Sequence, residues 1–275
     1  MDYRYRYITF LSDYGLIDEF AGICHGVISR IAPDAKIIDI THGIRPQEIT
    51  EGAMVLAQSL SFMPEAVHLA IVDPTVGSGR QAVVVHCSGG SCLVGPNNGL
   101  LGLAAERLGG PKGVFEITNP ELGLPNPSNT FQGRDIFAPA AAHLALGVPP
   151  EEFGPSADDL LKIEIAEPRL HDDHYHAVVL HRDRFGNLQL NLSGQQLREI
   201  GLAPGSMLEI RMEGYRHLVP YGQSYSSVPE GEMVVTEDSY NLLALAINRG
   251  SAANVFRANL GASVIIGPPG SGAGD

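Results

Sequence analysis

Ile8-Thr9-Phe10-Leu11-Ser12-Asp13-Tyr14-Gly15 decides the fold. Four residues of buried-strand character run into a polar turn, and Glu19 to Ile31 then takes up helical spacing, with Phe20, Ile23, Val27 and Ile31 on one stripe. Ala32-Pro33-Asp34 stops that helix. The exchange repeats downstream. Lys36 to Ile40 reads as a strand, Pro46 to Leu60 as a helix, and Val67 to Val72 as a third strand ending at Asp73-Pro74. Ala82 to His86 and Cys92 to Val94 read as a hairpin, with helices at Asn98 to Leu108 and Asp135 to Leu146. Such alternation predicts a Rossmann-like layered α/β sheet over residues 1–166.

Beyond residue 162 the texture changes to strands without helices: Ala177 to His181, Leu188 to Leu192, Met207 to Met212, Met233 to Thr236 and Ser263 to Ile266, punctuated by glycine-rich turns. This predicts a small all-β, barrel-like domain over 174–268. The Pro- and Asp-bearing stretch 167–173 reads as a linker, and 269–275 as a disordered tail.

Composition narrows the function. Hydrophobic residues at 44% and charged residues at 18% describe a globular chain. A formal charge of −13 argues against a nucleic-acid partner, which would require clustered Lys and Arg. The one basic alternation, Tyr3-Arg4-Tyr5-Arg6-Tyr7, reads as a solvated lead-in to the first strand. No apolar run has the ~20 residues of a membrane span, and no signal-peptide pattern opens the chain. The three cysteines, Cys24, Cys87 and Cys92, suit a reducing cytoplasm. The His86-to-Cys92 segment reads as strand ends around a hairpin rather than a metal site, and His171-Asp172-Asp173-His174-Tyr175-His176 as a solvated entry to a strand.

Ligands of α/β sheets sit where strands end in loops. Asp13 follows the first strand, Asp18 opens the first helix, and Asp73 follows the third strand. The loop Thr75-Val76-Gly77-Ser78-Gly79-Arg80 and the turn Gly95-Pro96-Asn97-Asn98-Gly99 allow close backbone approach. Each is weak evidence alone, since an Asp at a helix start is commonly an N-cap.

Taken in order, the segments form a longer pattern. Phe10-Leu11-Ser12-Asp13-Tyr14-Gly15, Asp39-Ile40-Thr41-His42, Val72-Asp73-Pro74-Thr75-Val76-Gly77, Gly95-Pro96-Asn97-Asn98-Gly99-Leu100 and Phe131-Gln132-Gly133-Arg134-Asp135 lie in the first half. Asp183-Arg184-Phe185-Gly186-Asn187 and Asp238-Ser239-Tyr240 lie in the second. Together they resemble the S-adenosylmethionine (SAM) hydroxide adenosyltransferases, or adenosine-forming SAM hydrolases, and their fluorinase and chlorinase cousins. The resemblance implies an α/β domain followed by a β-barrel, assembled as a homotrimer with intersubunit active sites. It also implies hydrolysis of SAM to adenosine and methionine without metal or organic cofactor.

The resemblance further implies roles. Asp13 would grip the ribose hydroxyls, Asp183 and Ser239 the methionine amino and carboxylate groups, and Asn187 and backbone near Ile247 the adenine. Tyr225 would stack on the base. The family's hydrolases hold water with an Asp-Arg-His set, whereas its halogenases carry Tyr where Asp73 stands, since a carboxylate repels halide. Here Asp73 and Arg80 match, but the His position is Gln132. An amide cannot take a proton, so proton removal would fall on Asp73, with Arg80 stabilising developing hydroxide. The expectation is a SAM hydrolase slowed by Gln132. A non-catalytic SAM or adenosine sensor stands as one alternative, and a halogenase, disfavoured by Asp73, as another.

Overall fold

The computed structural model describes residues 4–157 and 159–270. The chain divides into two compact units, Met1–Ile163 and Glu164–Asp275.

The first unit is built on a six-stranded sheet. Its strands are β1 (Tyr7–Ser12), β2 (Lys36–Thr41), β3 (Val67–Ile71), β4 (Ala82–Cys87), β5 (Cys92–Pro96) and β6 (Pro111–Glu116), in the order β2-β1-β3-β5-β4-β6. The β2, β1, β3 and β5 neighbours run parallel, while β4 is antiparallel to both β5 and β6. Helices α1 (Phe20–Ile31), α2 (Ile49–Ser59), α3 (Gly102–Arg107) and α4 (Ala138–Ala145) cover it. Side chains alternate across each strand, so the sheet sorts its residues between two helical layers. Ile8, Phe10, Leu69 and Ile71 pack with the Ala21-Cys24-Val27-Ile28 stripe of α1 and the alanines of α4. Leu11, Ala70, Val72 and Val83 pack with Ala53 and Leu56 of α2 and Ala104 and Ala105 of α3. The α1 stripe is thus rotated from the expected one: Phe20 is 38% exposed and stands at a cavity mouth.

The second unit is an antiparallel sheet of β7 (Arg169–His171), β8 (His174–Arg182), β9 (Leu188–Ser193), β10 (Met207–Met212), β11 (Tyr215–Pro220), β12 (Met233–Glu237), β13 (Leu242–Ile247) and β14 (Ser263–Gly267). The path runs β11-β10-β14-β8-β9-β13-β12, with β7 alongside β8. A bridge between Tyr221 and Val235 joins the two ends of that path, so the sheet nearly closes. The short helices α5 (Gly194–Glu199) and α6 (Ala252–Phe256) attach to it, and Leu188, Leu190, Leu208, Ile210, Val235 and Leu245 fill its interior.

Two expectations are corrected, and a third falls largely outside the described residues. The stretch 167–173 is not a bare linker: Arg169–His171 pairs with His174–Arg182 in a hairpin whose turn residue Asp172 has φ 54°. The lead-in is not solvated at Tyr5, which is 2% exposed and donates its hydroxyl to Gly90 O at 2.7 Å; Tyr3 lies outside the described residues. Of the tail, 271–275 also lie outside them, but Gly270 N donates to the buried carboxylate of Glu209 at 3.1 Å. Among the described residues no helix is long and apolar enough to cross a membrane.

Candidate active site

Ser12 of β1 stands in register with Ile71 of β3. The strands end together, and Asp13 and Asp73 follow one and two residues later. Asp13 N donates to Ile71 O at 3.3 Å, which ties the two exits. Beyond them a cavity of about 140 Å³ is lined by Asp13, Tyr14, Phe20, Asp73, Phe131 and Gln132, among others.

Its floor is a three-residue constellation. Arg80 Nε donates to Asp73 Oδ1 at 3.1 Å and Oδ2 at 3.0 Å, and Arg80 Nη2 donates to Asp73 Oδ2 and to Gln132 Oε1. The side chains of Asp73 and Arg80 are 6% and 9% exposed, and the guanidinium lies 5.2 Å from the Phe137 ring centroid. Asp73, Arg80 and Gln132 therefore come together as the sequence pattern implies. One role changes: Arg80 is spent on its two neighbours and is not among the residues lining the cavity. It orients Asp73 and Gln132, and they alone of the three face the space where a nucleophile would sit.

Gln132 stands at the N-terminus of a π-helical turn, Gly133–Phe137. Such turns commonly mark functional sites. A Cβ on Gly133 would lie 2.1 Å from the Tyr14 hydroxyl oxygen, so only glycine admits this approach. Asp135 steadies the preceding loop by accepting from Ser128 N at 2.7 Å and from Arg134 Nε at 2.6 Å. Tyr14, Phe20 and Phe131 form an aromatic wall with ring centroids 5.1–5.9 Å apart, Phe131 meeting each of the other two edge-to-face.

Asp13 is half-buried and accepts from Gln47 N at 2.9 Å, a residue held at φ 68°. Burial raises the carboxyl above its ordinary 3.8, and the nearby Asp73 charge adds to that, although the Gln47 hydrogen bond opposes it. Asp18 is exposed and absent from the cavity lining; α1 begins at Phe20, with Glu19 rather than Asp18 at the N-cap.

In the second unit, Asp183, Asn187, Tyr225 and Ile247 line a cavity of about 760 Å³. A tight turn holds the first two: Asp183 accepts from Asn187 N at 2.9 Å and Asn187 Nδ2 at 2.7 Å. Gly186, at φ 87°, sits against Ser251, the N-cap of α6. Burial, followed by the charges of Asp183 and Asp238, raises the Tyr225 phenol. Ser239 lies exposed in the turn between β12 and β13 and is not part of that lining. Residue-by-residue reading missed Phe20, because helical spacing assigned it to the core. It also missed Phe185 and Arg249, exposed loop residues whose only signal is their nearness to the Asp183 and Ile247 segments.

Paired carboxylates at the ends of adjacent parallel strands, followed by a barrel whose own cavity is lined by Asp183, Asn187 and Tyr225, define a two-domain protein with two candidate small-molecule sites. The profile of the SAM hydroxide adenosyltransferase N-terminal domain matches residues 8–154, and that of the C-terminal domain matches residues 177–265. The chain belongs to the SAM hydroxide adenosyltransferase family. It is 41% identical over 252 residues to the (R)-S-adenosyl-L-methionine hydrolase of Salinispora arenicola, covering 91% of this chain and 93% of the relative. A fluorinase of Nocardia brasiliensis is 29% identical over 290 residues, covering 94% and 96%. A crystal structure of an uncharacterized conserved protein from Thermotoga maritima superposes with a TM-score of 0.88 at 34% identity, covering 94% of this chain and 99% of that one.

Proposed function

We propose that the chain hydrolyses SAM to adenosine and L-methionine. The observation that carries this reading is the Asp73–Arg80–Gln132 constellation on the cavity floor. A water held between the Asp73 carboxylate and the Gln132 amide attacks the ribose C5′ in line with the sulfonium. The C5′–O bond forms as the C5′–S bond breaks, and the electron pair returns to sulfur to give the neutral thioether of methionine. The water's proton passes to Asp73 and then to solvent. Sulfonium is a good leaving group, so positioning and a prepared oxygen nucleophile supply most of the acceleration.

Asp13 binds the ribose hydroxyls as an ionised acceptor, while Asp183, Asn187, Tyr225 and backbone at Ile247 take the amino acid and adenine ends. Ser239 is retained as a ligand of the substrate carboxylate, and Asp18 as a substrate-binding candidate outside the first cavity. The first cavity is too small for a whole ligand of this size, since ligand pockets run to roughly 300–1,000 Å³, and the remaining candidates belong to the second unit. This supports a homotrimer in which the barrel domain of a neighbouring subunit completes each site. Light scattering that returns a monomer at micromolar concentration would overturn the assembly. Buried, free Cys24, Cys87 and Cys92 fit a cytoplasmic setting.

Incubating the chain separately with the (R) and (S) sulfonium epimers and resolving products by chromatography tests the reaction. Adenosine and methionine should appear in equal amounts. The relatives' names specify the (R) epimer, and we assign the same preference here. Gln132 favours a second reading, a sensor that binds SAM without consuming it; SAM recovered intact under saturating binding would select that reading.

A further inference from the structure

His25 of α1, Asp39 of β2 and His42 just beyond β2 converge outside the cavity described above. We propose that these three side chains bind a divalent transition-metal ion of the zinc class.

His25 Nε2 lies 2.8 Å from Asp39 Oδ1, and His42 Nε2 lies 3.2 Å from the same oxygen. One donor atom from each residue falls within 4.8 Å of the others. Zinc bonds of about 2.0–2.2 Å in a tetrahedral arrangement place neighbouring donors about 3.3 Å apart. The His42–Asp39 separation already matches that spacing, and the partly exposed His25 presents its Nε2 within 4.8 Å of the other two donors.

A second observation is independent of this spacing. The His42 side chain is 3% exposed, yet its Nε2 has no hydrogen-bond partner among the described residues. Although 3.2 Å from Asp39 Oδ1, it is not angled to share a proton with it. A buried nitrogen left this way is costly unless something takes up its lone pair or proton. A bound cation would do so. The other ring nitrogen is already placed for that role, since His42 Nδ1 lies 2.7 Å from Ser12 Oγ, and Ser12 is wholly buried. An outer partner of this kind fixes the tautomer and orientation of a metal-ligating histidine.

The donor set selects the ion. Two imidazoles and one carboxylate suit zinc, copper, nickel or iron and disfavour calcium and magnesium, which take oxygen ligands. Asp39 is 43% exposed, so a fourth position opens to solvent. The site would cross-link α1 to the β2 exit. That exit is tied in turn to the turn after Asp13, because Gly15 N donates to His42 O at 2.7 Å. An ion there stiffens the segment carrying the ribose-binding candidate without touching the reacting atoms.

The test is titration of the chelator-treated full chain with zinc chloride, followed by calorimetry. About one equivalent per chain should bind saturably and raise the melting temperature. Asp39→Asn and His25→Ala should each weaken uptake at least about tenfold, while His171→Ala/His176→Ala, in the exposed hairpin, should leave it unchanged. X-ray absorption of the zinc-loaded parent chain should show nitrogen and oxygen neighbours with imidazole scattering, a readout that needs no variant to fold. Absence of saturable uptake, sulfur ligation, or uptake lost only with the hairpin histidines would overturn the proposal. Hydrolysis of SAM can fail without bearing on any of these outcomes.

Discussion

Arg80 Nε donates to both carboxylate oxygens of Asp73, at 3.1 and 3.0 Å, and Arg80 Nη2 donates to Asp73 Oδ2 and to Gln132 Oε1. One buried cation therefore orients the two groups that face the attacking water. Lysine is a point charge that cannot reproduce this fork. Arg80→Lys should lower kcat about 10²-fold, with KM for SAM changed much less, because the ligand does not touch residue 80. Removing the charge altogether in Arg80→Ala leaves Asp73 buried and unpaired, which should cost about 3–5 kcal/mol of stability as well. Steady-state kinetics with thermal melts separates the two effects; an Arg80→Lys loss confined to KM would contradict the assigned role.

A second expectation concerns the nucleophile. Asp73 places negative charge where a halide would need a dry, uncharged cradle, so chloride or fluoride at high concentration should give no halogenated adenosine. Asp73→Tyr should abolish hydrolysis without creating efficient halogenation, since the Gln132 amide still lines the cavity and leaves no desolvated cradle for a halide. Chromatography of reactions run in concentrated halide checks both, and halo-adenosine from the parent chain would overturn the assignment.

How far the sequence was legible depends on where burial and function coincide. Strands β1 to β5 were readable because they are almost continuously apolar or lie between plain turn signals. Edge strand β6 was not: Pro111-Lys112-Gly113 opens it, and only Val114 is fully buried. Strand β13, Leu242-Leu243-Ala244-Leu245-Ala246-Ile247, is buried on both faces and so lacks the alternation that marks a strand. In the site, Asp73, Arg80 and Gln132 were recoverable from motif order. That Arg80 works from behind the other two was not, because sequence order carries no direction for a side chain. Phe20 illustrates the same limit, having the spacing of a core residue and the position of a cavity wall.

Asp13 supplies a pH test. Burial and the neighbouring Asp73 raise its carboxyl above 3.8, and the ionised form offers both oxygens as charge-assisted acceptors for two ribose hydroxyls. SAM affinity should therefore fall on acidification at a higher pH than an ordinary carboxylate would dictate. The same shift has the opposite sign for folding. Ionised Asp13 is disfavoured in the folded chain, so its contribution to stability is greatest below its unfolded value and declines as pH rises through the folded one. Asp13→Asn should weaken SAM binding, flatten the acid limb of the binding profile and leave the melting temperature equal or higher at neutral pH. Binding measured by calorimetry from pH 4 to 8, a range that spans carboxylate and histidine titration, decides this.

The last prediction concerns Gln132. Its Oε1 accepts from Arg80 Nη2, so the amide is held with its donor end available to water, and it cannot take a proton. A histidine here could turn the lone pair of its neutral ring toward the water and take up its proton, with the ring N–H pointing away from Arg80, which keeps its bonds to Asp73. Gln132→His should then raise kcat by as much as about 10²-fold, while KM for SAM stays nearly constant because the gain appears only in the transition state. The gain should grow with pH as the imidazole loses its proton near about 6.5, whereas the parent chain should show no such limb. The turn tolerates the exchange, since Gln132 has helical φ and ψ, and the close approach to Tyr14 is made by Gly133, which is unchanged. If Gln132→His leaves kcat flat across that titration, Asp73 alone prepares the water, and Gln132 serves only to hold Arg80 in place.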